Sequence, residues 1–89
     1  MKVQKLWRVH AENANYGEIV ELAALYFSRC TIYQPEGFYN GMQEHSIIIE
    51  VFGTPAIEHL VKGFARKVKK NNHQEQVLIT SGLIEVEEM

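Results

Sequence analysis

The sequence predicts an α+β chain: two helices on one face of a four-stranded antiparallel sheet, in the order β-α-β-β-α-β. Three observations predict it. Asn40-Gly41 separates two β-prone runs within Cys30–Phe52, and that dipeptide suits a type I′ hairpin turn because both central residues need positive φ. Two segments, one on each side of the hairpin, carry apolar residues at helical spacing. Alternating or β-branched runs lie at both ends of the chain.

The first strand is read over Val3–His10. Val3, Trp7 and Val9 share one side, interrupted by Lys5, and Gln4, Leu6, Arg8 and His10 share the other. Ala11–Gly17 is polar and rich in Asn. Asn15 with Glu18 makes a capping-box pair, and Ile19, Leu22, Ala23 and Tyr26 follow at helical spacing. The first helix is therefore placed over Tyr16–Ser28, with Arg29 near its end where the helix dipole favours a base.

In the hairpin, a two-residue turn pairs Tyr39 with Met42, Tyr33 with Ile48 and Ile32 with Ile49. Ile32, Ile47, Ile49 and Val51 then share one face with Cys30; Tyr33, Ile48 and Phe52 share the other. Pro35 and Gly37 call for a bulge or an edge position in the first arm. Gly53 ends the second arm. Thr54 and Pro55 mark the start of the second helix, whose apolar stripe is Ile57, Leu60, Val61, Phe64, Ala65 and Val68. Glu58 and Lys62 form an i,i+4 pair, and Asn71-Asn72 is a stop. Gln76–Thr80 is the last strand, with Leu83–Val86 continuing it beyond a kink at Ser81-Gly82 or forming a short extra strand. Right-handed crossovers give the ferredoxin-like arrangement. That leaves one sheet face bare, and Tyr33, Ile48 and Phe52 on it are the expected oligomer interface.

Composition bounds the function. At 89 residues the chain is expected to be one domain, residues 1–89. A net charge of −2 argues against nucleic-acid binding through bulk charge. No apolar run reaches the roughly 18 residues of a membrane span, and the first residues carry no signal-peptide pattern. One cysteine excludes an internal disulfide and suits the cytoplasm. There is no Walker loop, Rossmann fingerprint or paired-Cys motif, and Ser81 lacks a nucleophile context.

The hairpin TIYQPEGFYNGMQEHSIIIEV, about a quarter of the chain, resembles the long hairpin of CutA-type proteins. There a Tyr-containing strand meets an aromatic-Gly turn, an acidic residue and an aliphatic strand. NHQEQVLIT is similar to the His-containing segment before that family's next strand. The N-terminal segment lacks the family's cysteine-bearing pattern, and Glu50-Val51-Phe52 stands where it usually has a basic end. The resemblance implies a ferredoxin-like oligomer of the CutA and PII kind. Those proteins are trimers that bury their sheet faces centrally and hold small ligands or metals in clefts between subunits.

The candidate ligand- or partner-binding residues are Tyr33, Phe38, Tyr39, Gln43, Glu44 and His45. They combine stacking area with amide, carboxylate and imidazole groups beside turn-like chain; the bland reading is cross-strand packing that pins register. Lys62, Arg66, Lys69 and Lys70, with Lys67, make a secondary basic patch on the second helix, suited to an anion or simply a solvated face. His10, His45, His59 and His73 follow no metal-binding spacing, and no metal site is assigned. Cys30 is read as a buried structural thiol. No catalytic residue and no required cofactor are assigned.

These features favour a non-catalytic homo-oligomer, dimer or trimer, that binds a small anionic ligand or regulates a protein partner. Its cleft would lie between subunits, near Tyr33–Glu44. The first alternative is a protein-interaction or inhibitor module, of the compact kind that phages and plasmids encode, using the same hairpin. The second is a small enzyme with His45 or His73 as acid–base group near Glu44.

Overall fold

The computed structural model describes residues 2–89, and Met1 lies outside the described residues. Eight segments follow in order: strand β1 (Lys2–Glu12), helix α1 (Tyr16–Tyr26), strands β2 (Thr31–Tyr33), β3 (Glu36–Tyr39) and β4 (Met42–Gly53), a 3-10 turn (Pro55–Ile57), helix α2 (Glu58–Asn71) and strand β5 (Leu78–Val86). The sheet runs β2-β4-β1-β5, with β3 also on β4, and every pairing is antiparallel.

The expected four strands are thus five, because the first hairpin arm is divided into β2 and β3. The pairing register does not shift across the division. Tyr39↔Met42 and Glu36↔His45 lie in line with Tyr33↔Ile48 and Thr31↔Glu50. No residue is inserted, so the break at Gln34-Pro35 is the edge position rather than the bulge. Pro35 has no N–H to give to a ladder. Asn40 at φ 51° and Gly41 at φ 77° give the turn the two left-handed residues that type I′ requires.

Alternation sorts the sheet into two faces. Trp7, Val9 and Ala11 of β1 and Ile47, Ile49 and Val51 of β4 are buried on one face. They form a single core with Ile19, Ala23 and Phe27 from the α1 side and Val61, Phe64, Ala65 and Val68 of α2. Both helices therefore cover the same face. Each fully buried Val, Ile or Phe contributes about 1.5–3 kcal/mol by leaving water. The stripe of α2 is as the periodicity predicts, with Ile57 and Leu60 only partly buried at its start. Gly63 brings α2 close to α1: a Cβ there would sit 3.3 Å from the Tyr26 ring. Lys5, the interruption in β1, places its ammonium 5.4 Å from the centre of the Trp7 ring and 3.5 Å from Glu58.

Several boundaries differ from expectation for local reasons. β1 runs from Lys2 to Glu12, beyond Val3–His10, because β4 is long enough to pair with Glu12 through Ser46. α1 stops at Tyr26, not Ser28, since Phe27 turns extended to bury its ring. Arg29 consequently lies outside the last turn. Asn15 and Thr54 make no side-chain caps; each instead offers its carbonyl, to the N–H of Ile19 and Ile57. Glu58 turns to Lys5 rather than Lys62. α2 ends in a Schellman arrangement, with the N–H of His73 on Lys70 O and that of Gln74 on Lys69 O. The left-handed residue of this stop is His73, at φ 54°.

Neither a kink nor an extra strand occurs at Ser81-Gly82. β5 pairs with β1 in one register from Leu78 to Val86, Gly82 lying opposite Leu6, while Gln76 and Val77 precede the strand. No helix among the described residues is long and apolar enough to cross a membrane.

Candidate functional site

Two regions stand out: the sheet face away from the helices, and the base of the hairpin. Strand pairing puts Leu6, Ile48, Phe52 and Ile84 on the uncovered face, with Tyr33 at its β2 side. Tyr33 is 45% exposed and Phe52 46%. The expected apolar set is therefore uncovered. It is crossed by a polar row that the sequence reading did not assemble. Arg8 Nε donates to Glu50 Oε2 at 2.7 Å, and the Tyr33 hydroxyl donates to Glu50 Oε1 at 3.4 Å. His10 Nε2 and Thr80 Oγ1 share a hydrogen bond of 2.8 Å. These partners are far apart in sequence. The β1–β4, β1–β5 and β2–β4 registers, Arg8↔Glu50, Arg8↔Thr80 and Thr31↔Glu50, bring them onto one row.

The hairpin continues both faces outward. Tyr39, Met42, Glu44 and Ser46 follow Tyr33 and Ile48; Phe38, Gln43 and His45 follow Ile47 and Ile49. The candidate residues are thus divided between two sides of one ribbon. Phe38 (73%), Tyr39 (67%) and Met42 (73%) are largely exposed.

At the base of the ribbon, a depression of about 290 Å³ is lined by Glu12, Asn13, Ala14, Glu44, His45 and Ser46. The end of β1 is pinned there from two directions. Asn13 N donates to His45 O at 3.0 Å, and Asn13 Nδ2 to Gln34 Oε1 at 3.0 Å. Gln74 Oε1 accepts from Glu12 N at 3.1 Å, and Asn72 Nδ2 donates to Glu12 O at 3.0 Å. Asn13 Oδ1 is buried without a hydrogen-bond partner. Of the six lining residues, only Glu44 and His45 were among the candidates. The polar, Asn-rich run after β1 was the available signal for the others.

The basic patch divides. Lys62, Arg66 and Lys69 line a groove of about 220 Å³ with Val77 and Ile79, beside β5. Lys70 lines a separate depression of about 490 Å³ together with Glu18, Glu21 and His73. β5 and the β2–β3 arm occupy opposite edges of the sheet. The basic row and the hairpin therefore do not border one cleft within a single chain.

The histidines are also separate. His10 is on the open face, His59 Nδ1 lies 2.9 Å from Ala56 O, and His73 is in the turn after α2. Among the described residues, no three His, Cys, Asp or Glu side chains gather as a metal-binding group. Cys30 packs partly buried against the core, and burial pushes its thiol pKa up.

No family model matches the chain, and no curated protein matches it in sequence. Solved structures do match. CPII from Thiomonas intermedia, a nitrogen regulatory PII-like protein bound to ADP, AMP and bicarbonate, is 16% identical; the match covers 99% of this chain and 97% of that one, with a TM-score of 0.64. A DUF3240 family protein from Shewanella baltica is 15% identical over 100% of this chain and 96% of its own, with a TM-score of 0.65. A phage SAM lyase in the apo state is 12% identical over 91% and 79%, with a TM-score of 0.68. At these identities the likeness is one of fold. The chain is α+β, with two helices on an antiparallel sheet, and in that fold it resembles PII-like proteins.

Proposed function

We propose that the chain is a single ferredoxin-like domain, β2 and β3 counting as one arm, that works as a cytoplasmic homo-oligomeric ligand-binding or regulatory protein. The observation that carries this reading is the uncovered sheet face. Tyr33, Ile48 and Phe52 remain outside the core although both helices are already spent on the other face. An apolar surface of this kind marks an interface. In such an oligomer, the Arg8–Glu50–Tyr33 row would fix how two faces meet, because a charge pair removed from water must keep its partners.

The ligand site of this reading is the hairpin-base depression. Asn13, Glu44 and Ser46 offer polar contacts, and Tyr39 on the same side of the ribbon offers a stacking surface. The depression carries two carboxylates, Glu12 and Glu44, so a small anion needs cations from elsewhere. The exposed Lys67 and Lys70 of a neighbouring copy's α2 are the available source. The PII-like neighbour bound to ADP, AMP and bicarbonate supports a small phosphate- or carboxylate-bearing ligand.

Isothermal titration with ADP, AMP and bicarbonate tests this directly. We expect saturable binding by at least one of them, weakened by more than about 1 kcal/mol in Tyr39→Ala and, for the nucleotides, whose amino and hydroxyl groups can donate to the Glu44 carboxylate, in Glu44→Ala, with unfolding midpoints little changed. Absence of binding by all three, or binding untouched by both variants, contradicts the site.

The exposed Phe38, Tyr39 and Met42 favour one second reading, a protein-interaction module that uses the ribbon tip. The enzymatic alternative gains less: His73 lines a different depression from Glu44, and His45, although it lines the same one, is the next residue of β4 and alternates to the other side of the ribbon.

A further inference from the structure

We infer that the β5 edge is a second self-association surface, on which β5 of another copy pairs antiparallel about a two-fold axis at Ser81. The two sheet edges are not alike. The β2–β3 edge is broken at Pro35, one of the ways natural sheets discourage edge pairing. β5 is an unbroken run of nine residues at the other end of the sheet, with no Pro, no Lys and no bulge. Its outer N–H and C=O groups have no strand beside them among the described residues. On the helix side of that edge, Leu83 is 76% exposed and Ile79 38%.

Charge chooses the occupant. Glu85 is the one charged residue of β5, and alternation puts it on the helix side with Ile79, Ser81 and Leu83. That is the side of the groove lined by Lys62, Arg66 and Lys69, which contains no acid. None of the three cations is in a salt bridge among the described residues. In antiparallel pairing centred on Ser81, Leu83 lies opposite Ile79 of the second copy and Ile84 opposite Leu78. Glu85 then falls opposite Val77, at the cationic groove. The two-fold makes each of these contacts twice. Within β5, a centre at Ser81 therefore matches apolar to apolar and sets Glu85 beside the cationic groove of the other copy, with main-chain hydrogen bonds supplying the strand addition.

The test is cross-linking and charge exchange. A Ser81→Cys chain in a Cys30→Ala background should be joined as a dimer by a short bis-maleimide at micromolar concentration. Ile48→Glu, on the opposite face, should leave that link in place. Glu85→Lys alone, and Arg66→Glu with Lys69→Glu, should each reduce it by about tenfold or more, as like charges face each other. Mixing these two variants should restore the link as a heterodimer, since each then meets the opposite charge. Native mass spectrometry of the same mixture, without cysteines, should show the heterodimer. Failure of the parent chain to cross-link overturns the inference. So does a link insensitive to the charge variants, or a mixture that stays unlinked.

Discussion

Phe64 shows what a single side chain does in this core. It is fully buried, with the Phe27 ring centred 5.3 Å away and the Tyr26 ring 5.8 Å away, both edge-on. Edge-on aromatic pairs add to area burial. Phe64→Ala should therefore cost about 3–5 kcal/mol, against well under about 1 kcal/mol for the exposed Lys62→Ala. Urea unfolding midpoints separate the two, and equal midpoints would mean that the buried face of α2 is misassigned. Cys30 is a second residue-scale case. Because burial raises its thiol pKa, the thiolate is scarcer in the folded chain than in the unfolded chain at a given alkaline pH. Its effect on stability is fully favourable below the unfolded pKa and is lost as pH rises through the folded one. Alkylation of the native protein by iodoacetamide should be slower than that of the urea-unfolded chain at the same pH. Equal rates would contradict the buried environment. Phe64 was readable from spacing alone. The Arg8–Glu50–Tyr33 row was not, because nothing local to Arg8 shows which strand will lie beside it.

At the element scale, local chemistry was most legible where the chain has few choices. Asn40-Gly41 fixed the turn, and the turn fixed the hairpin register, because each residue beyond it follows by alternation. Ends set by tertiary burial were less legible. α1 stops where Phe27 enters the core, and β5 passes straight through Ser81-Gly82 because β1 supplies a continuous partner. The stop after α2 gives a test. His73 holds the left-handed position that Gly occupies without a side-chain penalty. His73→Gly should raise stability by roughly 0.5–1 kcal/mol. A lowered urea midpoint would show that the imidazole is needed where it stands.

At the scale of the whole molecule, the decisive feature is the imbalance between the two sheet faces. Both helices serve one face, so no element of the chain covers Leu6, Tyr33, Ile48 and Phe52 on the other. That much was legible, because alternation in β4 places Ile48 and Phe52 opposite Ile47, Ile49 and Val51. The hairpin-base depression was only half legible. Glu44 and His45 are adjacent in sequence to the turn, whereas Glu12 and Asn13 arrive there through the β1–β4 pairing and the Asn72–Gln74 bridge.

The mass of the protein in solution, by sedimentation equilibrium at micromolar concentration, tests the central claim most directly when wild type is compared with Ile48→Glu. The uncovered face predicts that wild type exceeds the 10.3 kDa of one chain. It predicts that Ile48→Glu forms a smaller species while keeping its far-ultraviolet circular dichroism. A wild-type protein that remains a single chain, or a folded Ile48→Glu variant of unchanged mass, would contradict it.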